Sequence, residues 1–478
     1  MLTGSAGVLR RVLAARPCPS VSTFRSLKTL GSVSRAKQLS FLLPTRPRLF
    51  NFAQHNLLQT TRRHLLSTKP DASSTPNTQL PTLPPRSVGS WLMFSSTLVF
   101  AVIVVGGVTR LTESGLSITE WRPITGVLPP LSQEEWVEEF NKYKNTPEFK
   151  LMNNSISMED FKSIFYMEWG HRILGRIIGI AFVCPLAYFS LRKKISSSLA
   201  RRLFGLALLI GAQGALGWYM VKSGLEDSFM NTPGAVPRVS QYRLAAHLGT
   251  ALVLYAGMFG TGLAAIKDWK YSKGVAWSGM KTDIPFQTVL NHPIVCTFKR
   301  QAWALTGLVF LTALSGAFVA GLDAGLLYNE FPLMGGRLAP PSDELFSPAY
   351  AKREDKSDMW WRNILENPTT TQFDHRVLAM TTYASTAMLF AKTLQPAVRA
   401  ALPPLTRVAT AAAFAMANVQ VLLGISTLLY LVPVPLATSH QAGSVALLSA
   451  MIHILITLRR PSTAASLWRH FNKYGHRK

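Results

Sequence analysis

The chain has 478 residues, 48% hydrophobic and only 15% charged, a balance too apolar for a soluble protein of this size and suited to a membrane protein with polar ends. The formal net charge of +26 does not signal nucleic-acid binding, because much of it sits at one end. Residues 1–70 hold twelve Lys or Arg and no Asp or Glu, which leaves +14 for everything after them.

An acid-free N-terminus rich in Arg, Ser and Leu predicts a mitochondrial presequence over 1–70, rather than a disordered basic arm for anionic lipid. DASSTPNTQLPTLPPR follows, and 71–87 is expected to be a Pro/Ser/Thr linker without a core. The three cysteines, Cys18, Cys184 and Cys296, are too scattered for a disulfide framework or a thiolate metal site.

A membrane helix needs about 20 mostly apolar residues. Trp91–Thr109, Leu203–Val221 and Gln301–Leu322 contain no Asp, Glu, Lys or Arg, and in Leu244–Ile266 the one ionisable residue is His247. Ile177–Leu191 and Val377–Ala391 reach spanning length if their helices begin upstream, at His171 and His375. Val408–Leu458 is uncharged throughout and too long for one span, and VPVP at 432–435 is expected to divide it. Eight helices result. The loops after helices 2, 4 and 6 and the C-terminal tail are basic, while the loops after helices 1, 3 and 5 hold most of the acids. The positive-inside rule then puts both termini in the matrix.

The two halves repeat. GGVTRLTESGLSITEW (106–121) aligns with GAFVAGLDAGLLYNEF (316–331) at an offset of 210, pairing Gly106 with Gly316 and Glu113 with Asp323. HRIL at 171 matches HRVL at 375, Gln213 and Gly217 match Gln420 and Gly424, and His247 matches His440. The expected fold is an all-α membrane protein whose eight helices form two pseudo-symmetric parallel four-helix bundles. Residues 88–270 make the first bundle, 271–300 a matrix linker, 301–460 the second bundle and 461–478 a basic matrix tail. Helices 2, 4, 6 and 8 enter from one side, so His171, His247, His375 and His440 lie near that face, two per bundle. One such histidine alone reads as structural. Four at equivalent places in a repeat read as ligands, since ionisable groups in spans are costly. Two facing imidazoles suit the axial positions of haem iron, and suit zinc less, because no thiolate pair supports them.

The repeat breaks three residues before each helix-2-type histidine, at Glu168 in one half and Gln372 in the other. Residues three apart share a helix face. Glu168 reads either as a carboxylate beside the first iron site, moving protons or stabilising positive charge, or as a solvated residue at a helix start. Arg172 and Arg376 read either as partners for haem propionates or as interface anchors.

With these residues in view, the chain resembles the haem A synthase family of mitochondria over roughly 88–460. The stretches that carry the resemblance are GGVTRLTESGLSITEWRPITGVLPPLSQEEW (106–136), FYMEWGHRILGR (165–176), AAHLG (246–250), GLDAGLLYNEFPLMGG (321–336), FDHR (373–376) and SHQ (439–441). The resemblance implies oxidation of the C8 methyl of haem O to a formyl group, giving haem A for cytochrome c oxidase. It implies haem O, supplied by haem O synthase, between His171 and His247, with Glu168 as the acid beside the reacting methyl. It implies a resident haem b between His375 and His440. The methyl would pass through the alcohol to a hydrated aldehyde that loses water. A matrix ferredoxin would donate electrons, docking on the basic matrix loops. The expected location is the mitochondrial inner membrane in contact with its lipid, with room for a homo-oligomer and no role for nucleic acid. The cysteine pair of some bacterial members is absent between Arg110 and Lys162. The alternative reading is a di-haem b electron-transfer protein without a substrate.

Overall fold

The computed structural model describes residues 80–122, 125–126, 128–226, 228, 230, 236–281 and 285–474. The expected presequence, most of the expected linker and the last four residues of the tail lie outside the described residues. Eight long helices organise the rest: α1 (Arg86–Leu111), α2 (Met158–Leu191), α3 (Ser197–Gly224), α4 (Gln241–Ser272), α5 (Pro293–Gly321), α6 (Pro368–Leu394), α7 (Pro404–Leu429) and α8 (Val434–Thr457). The one β-pairing among the described residues is a bridge between Met334 and Arg337.

Seven of the eight are long and apolar enough to cross a membrane; α6 is not in that set. The reason lies in its threonines. They lower its hydropathy, yet Thr381 and Thr386 satisfy their hydroxyls on the carbonyls of Val377 and Thr382 one turn back, and Thr382 meets Thr312 of α5 at 2.7 Å.

Two expected helix starts are corrected. α2 begins at Met158, not His171, because the Ser157 hydroxyl accepts from the Asp160 amide at 3.1 Å and bonds the Asp160 carboxylate at 2.7 Å. α6 begins at Pro368, not His375, with Asn367 as its N-cap. His171 and His375 therefore sit well inside their helices. The α7–α8 division falls at the expected place: Leu431 and Val432 both have positive φ, and the Val432 amide closes α7 on the Thr427 carbonyl.

Packing follows the repeat. α1 lies against α2 and α4, and α3 against the same two. α5 lies against α6 and α8, and α7 against the same two. The halves meet where α4 touches α5 and where α8 touches α1 and α4. The segment between α1 and α2 has its own small core. Trp136, Phe140 and Tyr143 of the helix Gln133–Lys144 close over Phe161 and Phe165 of α2, with Phe140 stacked on Phe161 at 4.9 Å. In the segment before α6, Arg362 is held between Asp358 and Glu366 at 2.5 and 2.7 Å.

Candidate functional site

One cavity of about 1260 Å³ runs between the halves, and all four repeat-matched histidines line it. This exceeds the roughly 300–1,000 Å³ of a pocket for one drug-sized ligand. No cluster of three or more His, Cys, Asp or Glu able to hold a metal forms among the described residues. What the cavity offers is imidazoles in pairs.

The glycines of the repeat explain how the pairs fit. Each histidine ring faces a glycine on a neighbouring helix, where a Cβ would fill the space. A Cβ at Gly106 would lie 3.0 Å from His171 Nε2, and one at Gly316 3.5 Å from His375 Cε1. One at Gly217 would lie 3.5 Å from His247 Cε1, and one at Gly424 2.8 Å from His440 Cε1. The His375 and His440 rings have centroids 6.5 Å apart. Two imidazoles on opposite sides of one metal, each nitrogen about 2 Å from it, would have centroids about 6 Å apart. The spacing of the second pair is close to that value. The Nδ1 atoms of His247 and His440 are buried with no hydrogen-bond partner.

The two halves differ around this common plan. His375 Nδ1 bonds Ser315 Oγ at 2.7 Å, which fixes the orientation of this ring in the cavity wall. The residue aligned with Ser315 is Val105, which has no hydroxyl to offer His171. Glu168 is 2% exposed and lies in the third turn of α2, so the solvated helix-start reading is overturned. Its Oε2 accepts from Ser117 Oγ at 2.7 Å and the Ile118 amide at 2.8 Å, and its Oε1 pairs with Arg172 at 2.5 Å. Every partner is a donor. Gln372 holds the matching segment with one bond, Nε2 to the Tyr328 carbonyl at 3.1 Å, and its buried Oε1 has no partner.

Arg172 and Arg376, open in sequence between a propionate partner and an interface anchor, do equivalent work here. Arg172 donates to the carbonyls of Ile118 and Glu120 at 3.1 and 3.2 Å. Arg376 donates to those of Tyr328 and Leu333 at 2.8 and 3.0 Å. Ile118 and Tyr328 are aligned at the 210-residue offset. Each arginine thus ties the segment after the first helix of its half to the histidine-bearing helix.

Three features were outside the sequence reading. Asp323 joins the halves by taking Arg110 at 2.8 Å and Arg238 at 2.9 Å; it and its aligned partner Glu113 both have φ near +50°. Gln441, next to His440, crosses to α1 and donates to the Ile103 carbonyl at 3.1 Å, seated in a notch that any side chain at Gly107 would fill. Glu148, in the short helix Pro147–Leu151, is a second buried carboxyl on the cavity wall. The Ser315/Val105 mismatch was visible in the aligned halves; the other contacts are long-range and leave no local signal.

A family model described as "cytochrome oxidase assembly protein", COX15-CtaA, matches residues 89–452. "Heme A synthase COX15" of Saccharomyces cerevisiae is 47% identical over 376 residues, covering 79% of this chain and 76% of the relative. The protein of that name in Homo sapiens is 44% identical over 375 residues, 78% of this chain and 83% of the relative. A "Heme A synthase-mitochondrial ferredoxin fusion protein" of Schizosaccharomyces pombe is 46% identical over 373 residues, 78% of this chain and 60% of the relative.

Proposed function

Since the chain belongs to the cytochrome oxidase assembly protein family COX15-CtaA, we propose that it is a haem A synthase, a multi-pass mitochondrial membrane enzyme that oxidises the C8 methyl of haem O to the formyl group of haem A. The observation that carries this reading is one cavity with two histidine pairs, of which one has a buried carboxylate, Glu168, three residues before its first histidine where the other has the amide Gln372. Family and relatives favour it over the di-haem electron-transfer alternative.

The finer assignments belong to the same proposal. All eight long helices cross the inner membrane, α6 included, as two pseudo-symmetric bundles with both termini in the matrix. The half spanning 88–270 takes haem O between His171 and His247. The half spanning 301–460 holds haem b between His375 and His440. Residues 271–300 and 461–478 face the matrix, after removal of 1–70 and a linker over 71–87. The fused ferredoxin of the fission yeast relative supports a ferredoxin as electron donor.

Bound haem iron would supply one-electron redox chemistry at each site. The protein's own residues do the rest. Ser315 holds His375 in one orientation, as a resident cofactor needs. His171 lacks such a lock at the aligned position, in keeping with a haem that comes and goes. Glu168, with all its partners donors, contributes negative charge beside the first site and pins residues 117–118 to α2.

The test is pigment analysis by acid extraction and chromatography, in cells that make haem O but lack this enzyme. The wild type is expected to yield haem A. His171→Ala is expected to keep haem b and make no haem A; His375→Ala is expected to lose both. A wild type that binds haem b, is supplied with reductant and leaves haem O untouched would overturn the proposed function.

A further inference from the structure

Glu148 stands on the cavity wall and the mechanism above does not use it. It is 4% exposed. Among the described residues its carboxyl has one hydrogen-bond partner, the Tyr143 hydroxyl at 3.2 Å, and that hydroxyl in turn accepts from Asn153 Nδ2 at 2.9 Å. No Lys or Arg pairs with it among the described residues. The nearest basic influence is Arg110, which is bound to Asp323. The charged groups facing Glu148 are Glu168 and Glu113, both also on the cavity wall, and Arg110. Arg172 is already taken by Glu168.

A carboxyl buried without a cation is stable there only in its neutral form. Burial pushes Glu148 up from the ordinary 4.5 to about 8; the Tyr143 hydrogen bond pulls against it, the Glu168 and Glu113 carboxylates add smaller pushes, and Arg110 a smaller pull. The two buried carboxyls of the cavity wall are thus sorted by surroundings. One is surrounded by donors, and the other keeps its proton. Such a split separates an acid from a base in one site. The second half has no equivalent, since its buried carboxylate Asp358 is paired with Arg362.

We propose that Glu148 is the proton-exchanging group of the first-half site, acting on the hydrated aldehyde that precedes the product. Its carboxylic O–H gives a proton to one hydroxyl of R–CH(OH)₂. The C–O bond breaks and water leaves. The other hydroxyl's proton returns to the carboxylate, giving R–CHO and restoring the acid. Atoms and charge balance, and no oxidant takes part. The aromatic core of the segment between α1 and α2, with Tyr143 fully buried, has a purpose on this account: it carries a dry carboxylic acid to the cavity wall.

The inference rests on the proposed function, and the tests separate the two. Infrared difference spectra of the purified full chain are expected to show a protonated carboxylic C=O band at pH 6.5 that fades through about pH 8 and is absent in Glu148→Gln. Tyr143→Phe, which removes its donor, is expected to shift that band without abolishing it. The folded chain keeps this proton where the unfolded chain releases it, so stability through this group falls as pH rises from about 4.5 to about 8, and Glu148→Gln removes that slope. In pigment analysis Glu148→Gln is expected to slow haem A formation roughly 100-fold, the lower range for a lost acid–base group, with oxidised precursor accumulating. A C=O band unchanged in Glu148→Gln, or haem A formed at the wild-type rate and pH profile by that variant, overturns the proposal while the enzyme reading stands. A wild type that makes no haem A overturns both.

Discussion

In the first half, the segment after α1 is fastened to α2 through a carboxylate with three donors; in the second, the matching segment is fastened to α6 through an amide with one bond and an orphaned oxygen. The arginine one turn further on is the same in both and reaches the same aligned carbonyl. The repeat in the sequence accounts for the matched arginines and histidines. It does not explain a buried charge kept in one copy only, because a buried ion pair is poor value as a stabiliser. The better supported half, by contrast, is the second with respect to its histidine, since Ser315 locks His375 and nothing aligned locks His171. One half holds a histidine ring still, and the other gathers charge and donors beside its histidine-bearing helix.

Three sets of variants bear on that contrast. Glu168→Gln has the largest expected effect. Removing one partner of a buried pair costs about 3–5 kcal/mol, toward the lower figure here because Arg172 keeps two carbonyls. A lower thermal midpoint is expected, with haem O or a hydroxylated intermediate accumulating and haem b retained. Equal haem A from wild type and variant would reduce Glu168 to a structural clamp. Next come Gly424→Ala and Gly217→Ala, one substitution at two aligned places. The first drives a Cβ to 2.8 Å from His440, an overpacking of about 1–3 kcal/mol that is expected to lower haem b content; the second makes an ordinary 3.5 Å contact with His247 and is expected to leave pigment unchanged. Equal losses would break the contrast. The smallest effect is expected from Ser315→Ala, about a tenfold weaker hold on haem b by titration, against little change in haem A output for Val105→Ser.

The histidine quartet was legible because an ionisable residue in an apolar run stands out, and because the repeat supplied a second copy of each. The α7–α8 break was legible from its prolines. The starts of α2 and α6 were not, because Ser157 and Asn367 cap them from within polar segments that read as loop. α6, expected as a span, falls outside the set of helices apolar enough to cross a membrane, its hydropathy lowered by threonines whose hydroxyls turn back on their own helix. Glu168 was open between two readings because its partners Ser117 and Ile118 lie about fifty residues away in sequence. Glu148 was invisible for the same reason. In sequence it is one acid among several in a charged insert, and only the aromatic cluster around Tyr143 makes it dry.

The notch at Gly107 has a further consequence. Gln441 follows His440 in the chain, and its amide is lodged against α1 beside Gly106, the residue that faces His171. His440 and the wall that faces His171 are therefore tied through Gln441, which packs on Gly107 and hydrogen-bonds the Ile103 carbonyl. With the proposed sites, such an arrangement would couple the filling of one to the filling of the other. Any change that occupancy of the second site made in the affinity of the first would be returned in equal measure, whichever of the two were filled first.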